Sequence, residues 1–301
     1  MKRLLLLLPL LSILFLYSCS SSQEEQLTEL KPYPNEHLLV SVDELNYMLL
    51  DDNTFLIDAR SDTSGSFIPD AVHFSARGEL GDPDHPVSNY LIGPERFQEK
   101  MRALGLNNDH DVVIMDEGNN LYAARLFYAL EYYGFTNASL LDGGLAAWVD
   151  EGYPTAEDPN QADSGNFTVD VQPNRFCDYE TVVAASNDPN KIILDVRSEE
   201  EYTGQIARAE KGGHIPNAVH LEWSDVIESE GIPFFKPANE IEEIYVSAGL
   251  TPDKEIIPHC QSNVRGSHTY FTLRLMGYDS VRPYEGSWAE YGNREGSEVV
   301  Q

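Results

Sequence analysis

The chain repeats itself once, and that repeat constrains its fold more than any other feature. Phe55-Leu56-Ile57-Asp58-Ala59-Arg60 aligns with Ile192-Ile193-Leu194-Asp195-Val196-Arg197. Each is an apolar run closed by Asp-x-Arg, as expected of a buried parallel strand. Ile68-Pro69-Asp70-Ala71-Val72-His73-Phe74 aligns with Ile215-Pro216-Asn217-Ala218-Val219-His220-Leu221, the second copy carrying an insertion before this block. Val112-Val113-Ile114-Met115-Asp116 then aligns with Ile256-Ile257-Pro258-His259-Cys260. A helical pattern follows each, stopped by Gly134 or Gly277. Asp142-Gly143-Gly144 and Glu285-Gly286-Ser287 close the two copies, with an aromatic beyond each at Trp148 or Tyr291. Strands alternating with helices predict two tandem α/β domains, each a mainly parallel sheet flanked by helices. The 301 residues suffice for two such domains of about 120–150 residues.

Composition limits the partners. Twenty basic against 50 acidic side chains give a net charge of −30, which opposes nucleic acid and anionic membrane surfaces. The same field opposes anionic substrates, so an anion site has to be built from local cations and backbone amides. The N-terminus reads as a separate address. Lys2 and Arg3 precede an apolar run from Leu4 to Tyr17, too short to span a bilayer and suited to a signal-peptide core. Residues 1–18 are read as this leader, 19–35 as a polar tether, 36–153 as the first domain, 154–171 as a Pro-, Gly- and Asn-containing linker and 172–301 as the second domain. No metal constellation and no nucleotide-type glycine loop stand out, and no cofactor is expected.

Leu16-Tyr17-Ser18-Cys19 resembles a bacterial lipobox. The resemblance implies cleavage before Cys19, lipidation there, and a cell-envelope protein held to its membrane through that anchor alone. Cys177 and Cys260 remain; a lone pair in an exported chain could form a disulfide.

Open α/β sheets bind ligands beyond the carboxyl ends of their strands, and Cys260 is at such an end, before a helix predicted from about Val264. Gln261, Ser262, Asn263, Val264 and Arg265 can turn backbone N–H groups inward as an anion-holding nest, an environment that favours thiolate. In the first copy Asp116 replaces the cysteine, so that copy lacks the nucleophile.

The ordered blocks Asp195-Val196-Arg197, Gly213-His214-Ile215-Pro216-Asn217-Ala218-Val219-His220-Leu221 and Gly286-Ser287-Trp288-Ala289-Glu290 resemble the rhodanese family across roughly residues 36–292. The resemblance implies an inactive first domain and a catalytic second one. It implies a sulfurtransferase in which Cys260 takes a sulfane sulfur from thiosulfate, or alternatively 3-mercaptopyruvate, and passes it to cyanide or a thiol. Cys260 to Arg265 spans Cys-x4-Arg, one residue shorter than the loop of related phosphatases and arsenate reductases, which counts against those chemistries. A non-turnover carrier or sensor remains a rival, because Glu201 stands where the family usually places a substrate-binding arginine and would repel an anionic donor. The cations expected to substitute are Arg265 first, then Arg208 and Lys211 from the insertion. Asp58–Arg60 and Asp195–Arg197, present in both copies, are expected to be structural ion pairs, and Trp288 a core residue.

Overall fold

The computed structural model describes residues 31–61 and 65–301. The expected leader, Cys19 and the tether up to residue 30 lie outside those residues. Among the described residues, no helix is long and apolar enough to cross a membrane.

The first copy contains β1 (Leu39–Val40), β2 (Thr54–Asp58), β3 (Val72–His73), β4 (Asp111–Met115) and β5 (Ala138–Leu141). They pair in parallel in the order β1-β5-β4-β2-β3. Its helices are α1 (Val42–Met48), α2 (Ala76–Glu79), α3 (Pro94–Leu104), α4 (Leu121–Tyr132) and α5 (Gly144–Asp150). The second copy has β6 (Lys191–Asp195), β7 (Val219–His220) and β8 (Glu255–His259) in the parallel order β7-β6-β8. Around them are α6 (Tyr179–Ala185), α7 (Glu199–Tyr202), α8 (Ala238–Ser247), α9 (Val264–Leu275) and α10 (Ser287–Tyr291).

The second sheet keeps the first one's plan in reduced form. Val281 bridges Ile256, and Cys177 bridges Tyr284, in the places that β5 and β1 hold in the first copy. Pro258 accounts for the reduction. It stands in β8 where Ile114 stands in β4, and it accepts from Tyr284 N at 3.0 Å. A strand residue's N–H and C=O face the same neighbour, so the donor that proline lacks is missing on the Val281–Tyr284 side.

Helices α4 and α9 join the two copies. Each is buried nearly all round, because one side packs on its own sheet and the other on its twin. Phe127 meets Phe271 edge-on at 5.0 Å, and Tyr128 meets Tyr270 at 5.3 Å. A single apolar core therefore runs from Leu38 to Val281 across both copies. Gly134 and Gly277 terminate the two helices with φ of +90° and +81°, where a side chain would be strained.

Two expected connectors are more ordered than their composition suggested. Asn35, at the end of the expected tether, donates to Leu275 O and Arg274 O and so caps the C-terminus of α9. Residues 154–171 do not hang between the domains. They wrap the first one: Ala156 bridges Phe67, Gly165 N donates to Arg102 O at 2.8 Å, and Phe167 is buried.

Candidate active site

Cys260 follows β8 and is almost fully buried. Its loop is held by the closing motif of the copy. Ser287 Oγ accepts from Cys260 N at 3.3 Å and from Asn263 N at 3.1 Å, while donating to Tyr284 O. Trp288 N and Ala289 N donate to Cys260 O and Gln261 O. Asn263 turns the loop into α9 with a left-handed φ of +54°. Gly266 follows because a Cβ there would strike Asn263 Oδ1. The opening N–H groups of α9 have no preceding helical carbonyls to bond, which leaves them for an anion beside the sulfur.

The first copy contains the filled counterpart of that nest. Asp116 is completely buried and accepts from the N–H groups of Gly118, Asn120, Tyr122 and Ala123 at 2.9–3.3 Å. Burial raises its pKa above the usual carboxylate value, and those four N–H groups pull the other way. The protein thus supplies its own anion to the first nest and a sulfur to the second.

Arg265 stands beside Cys260 and is fixed by Glu201. Its guanidinium forks onto the carboxylate at 2.6 and 3.2 Å. Burial opposes its charge, but the bond to Glu201 and the neighbouring Cys260 thiol outweigh that and raise its pKa. Glu201 is itself buried; burial pushes its pKa upward, and the Arg265 bond outweighs this and holds it below the ordinary value. Arg208 adds a second cation to Glu201 at 3.0 Å. The expected repulsion by Glu201 is therefore corrected: two guanidiniums neutralise it, and it serves as the anchor of the loop arginine.

The remaining predicted residues divide. Gln261 donates through Nε2 to Arg208 O, and Ser262 accepts from Asn89 of the first domain at 3.4 Å. Asn263 spends its amide on Glu285 at 2.7 Å. Val264 lines an inter-domain cleft with Ser262 and Arg265. Lys211 is not brought to the loop: its ammonium donates to Arg294 O and Ser297 O and ties down the C-terminal segment. Arg197 forks onto Asp195 and lies 4.3 Å from the centre of the buried Trp288 ring, and Arg60 repeats the fork onto Asp58. Cys177 and Cys260 are both free thiols and belong to different core clusters, so a disulfide between them is not formed. Burial pushes the Cys177 thiol up to about 12.

Sequence reasoning missed the pair that fastens the first domain to this loop. Arg125 of α4 is buried and forks onto the buried Glu285 at 2.6 and 3.1 Å. Leu91 N donates to the same carboxylate at 2.8 Å, and Arg125 donates to Asn89 O at 3.0 Å. The available signal was two charges, Arg125 and Glu131, inside the otherwise apolar helix Leu121–Tyr132, where a buried charge needs a partner.

Comparison with known proteins agrees with this geometry. The rhodanese-like domain family matches residues 41–151 and again 178–294. A Saccharopolyspora erythraea protein provisionally named a thiosulfate sulfurtransferase is 34% identical, covering 87% of this chain and 95% of its own. The Thermus thermophilus sulfur carrier protein TtuD is 30% identical over 89% of this chain and 98% of its own. Among solved structures, the 3-mercaptopyruvate sulfurtransferase SseA of Escherichia coli superposes with a TM-score of 0.76 at 28% identity, covering 84% of this chain and 99% of that one. The anaerobic ergothioneine biosynthesis enzyme of Chlorobium limicola has a TM-score of 0.78 at 21% identity, a likeness of fold alone. The chain belongs to the rhodanese family, as a tandem of two such domains.

Proposed function

We propose that the protein is a sulfurtransferase that carries a sulfane sulfur on Cys260, taking it from thiosulfate, or else from 3-mercaptopyruvate, and handing it to cyanide or a thiol. The observation that carries this reading is the contrast between the two nests: a carboxylate fills the first, and a thiol beside Arg265 occupies the second. In the donor step the Cys260 thiolate attacks the outer sulfur of thiosulfate. A new S–S bond forms, the old one breaks, and sulfite leaves with the electron pair. The Cys260 persulfide anion then sits against Arg265 and the first N–H groups of α9, which stabilise its charge. In the acceptor step cyanide attacks the outer sulfur, thiocyanate departs, and the thiolate returns.

Thiocyanate formation under reducing conditions tests this, with Cys260→Ala beside the parent protein. Turnover in the parent and none in the variant is expected; turnover that survives the substitution would sink the proposal. The names of the two sulfur-handling relatives support the reaction class. The nearly complete burial of Cys260 also favours a carrier role, in which a persulfide is sheltered until a specific acceptor docks. A stable persulfide on Cys260 without turnover on cyanide would select that role.

Anchoring at Cys19 is part of the same proposal and rests on the leader and the lipobox-like Leu16-Tyr17-Ser18-Cys19. Palmitate labelling of the parent that disappears in Cys19→Ser is the expected outcome; equal labelling of both would exclude that site.

A further inference from the structure

Most cations near Cys260 are already committed. Arg265 and Arg208 answer Glu201, and Arg125 answers Glu285. A protein of net charge −30 nevertheless has to draw an anionic donor to this place. The cleft leading to the loop has a volume of about 270 Å³ and is lined by Arg77, Asn89, Tyr122, Arg125, Ser262 and Arg265 among others. Among the described residues Arg77 is the lining cation with no carboxylate within ion-pair distance. Its neighbour Glu79 is taken by Lys100 at 2.9 Å.

Arg77 is exposed, yet its position is built. Ala76, before it in α2, and Leu80, just past the end of that helix, are both buried. The segment beyond is closed by the bridge from Gly81 to Leu91. That segment is pinned to the second domain by Leu91 N on Glu285, and by Asn89 between Arg125 and Ser262. The N-terminus of α4, which also faces the cleft, offers little to an anion, because Asp116 already takes the N–H groups of Tyr122 and Ala123. The local positive potential of the cleft therefore comes from Arg77.

We propose that Arg77, contributed by the domain without a nucleophile, binds the anionic head of the sulfur donor, a sulfonate or a carboxylate, while Cys260 of the other domain attacks its sulfur. This deepens the sulfurtransferase reading and rests on it. A guanidinium suits either head, since both offer paired oxygens to its fork. Arg77 is a binding residue here, and the inactive copy is part of the substrate site.

Ping-pong kinetics separate the half-reactions, so the test has an internal control. In Arg77→Ala, kcat/KM for thiosulfate falls at least tenfold, through KM, while kcat/KM for cyanide stays within twofold. Arg77→Lys recovers part of the loss, and Arg77→Glu deepens it. Repeating the series with 3-mercaptopyruvate assigns the head: a loss confined to one donor identifies sulfonate or carboxylate. Unchanged donor kinetics in Arg77→Ala, or equal losses in both half-reactions, would overturn the assignment. Turnover persisting in Cys260→Ala is read separately and would instead remove the sulfurtransferase reading beneath it.

Discussion

Glu201 and Arg265 illustrate how one residue's meaning depends on its partner. Removing the carboxylate charge leaves a half-buried guanidinium unanswered beside the nucleophile. Glu201→Gln should therefore cost about 1–3 kcal/mol of stability. It should also lower thiosulfate turnover about tenfold or more, because Arg265 is no longer held in place; denaturant titration and steady-state rates check the two parts. Asp142 gives a pH prediction. Burial raises its pKa to about 7 against the N–H groups of Phe235 and Gly143. Its folded pKa lies above the unfolded one, so its contribution to stability is complete below about pH 4 and is lost as pH rises through 7. Buried His259 and His268, pushed down to about 4 and about 3, work in the opposite sense, since their contribution is lost as pH falls from about 6.5 through those values. The difference between the parent and Asp142→Asn isolates the carboxylate: the stability gap should move in favour of Asn between pH 4 and 8, measured by urea midpoints. At this scale Cys260, Asp116 and the two Asp-x-Arg forks were legible in the sequence, because strand ends and the repeat locate them. Lys211 was not, since nothing in its local sequence tells that the C-terminal carbonyls of Arg294 and Ser297 collect its ammonium.

At the scale of elements, the loops work because closing motifs hold them. The donors of α10 grip the Cys260 loop as those of α5 grip the Asp116 loop, with Leu145 N on Asp116 O and Ala146 N on Glu117 O. Glu285 joins this scaffold to the first domain. Arg125→Ala would leave that carboxylate buried with hydrogen bonds but no cation, at a cost of about 3–5 kcal/mol. It should also impair turnover although Arg125 belongs to the other domain; thermal melts and rates together check this. The twin helices α4 and α9 were readable from their pattern and glycine stops, and α9 begins at Val264, close to where it was expected. The reduced second sheet and the wrapping linker were not. The first turns on Pro258 and the second on the contacts of Ala156, Gly165 and Phe167, and the effects of all four come from neighbours distant in sequence.

Across the whole molecule, the tandem behaves as one cooperative body. The face that α4 shows to α9 is aromatic and dry, so residues 172–301 made alone would expose Phe271 and Tyr270. That fragment is expected to aggregate or to lack sharp tertiary signals by near-UV circular dichroism, whereas the full chain should unfold in a single thermal transition. Phe127→Ala, in the domain without a nucleophile, should destabilise the chain by about 3–5 kcal/mol and melt both halves together. The shared helix contact also bears on what can be taken away. The copy that carries a carboxylate where its sibling carries a thiol cannot be removed without cost, because its helix is an interior wall of that sibling. Absence of the nucleophile and dispensability of the segment are thereby uncoupled.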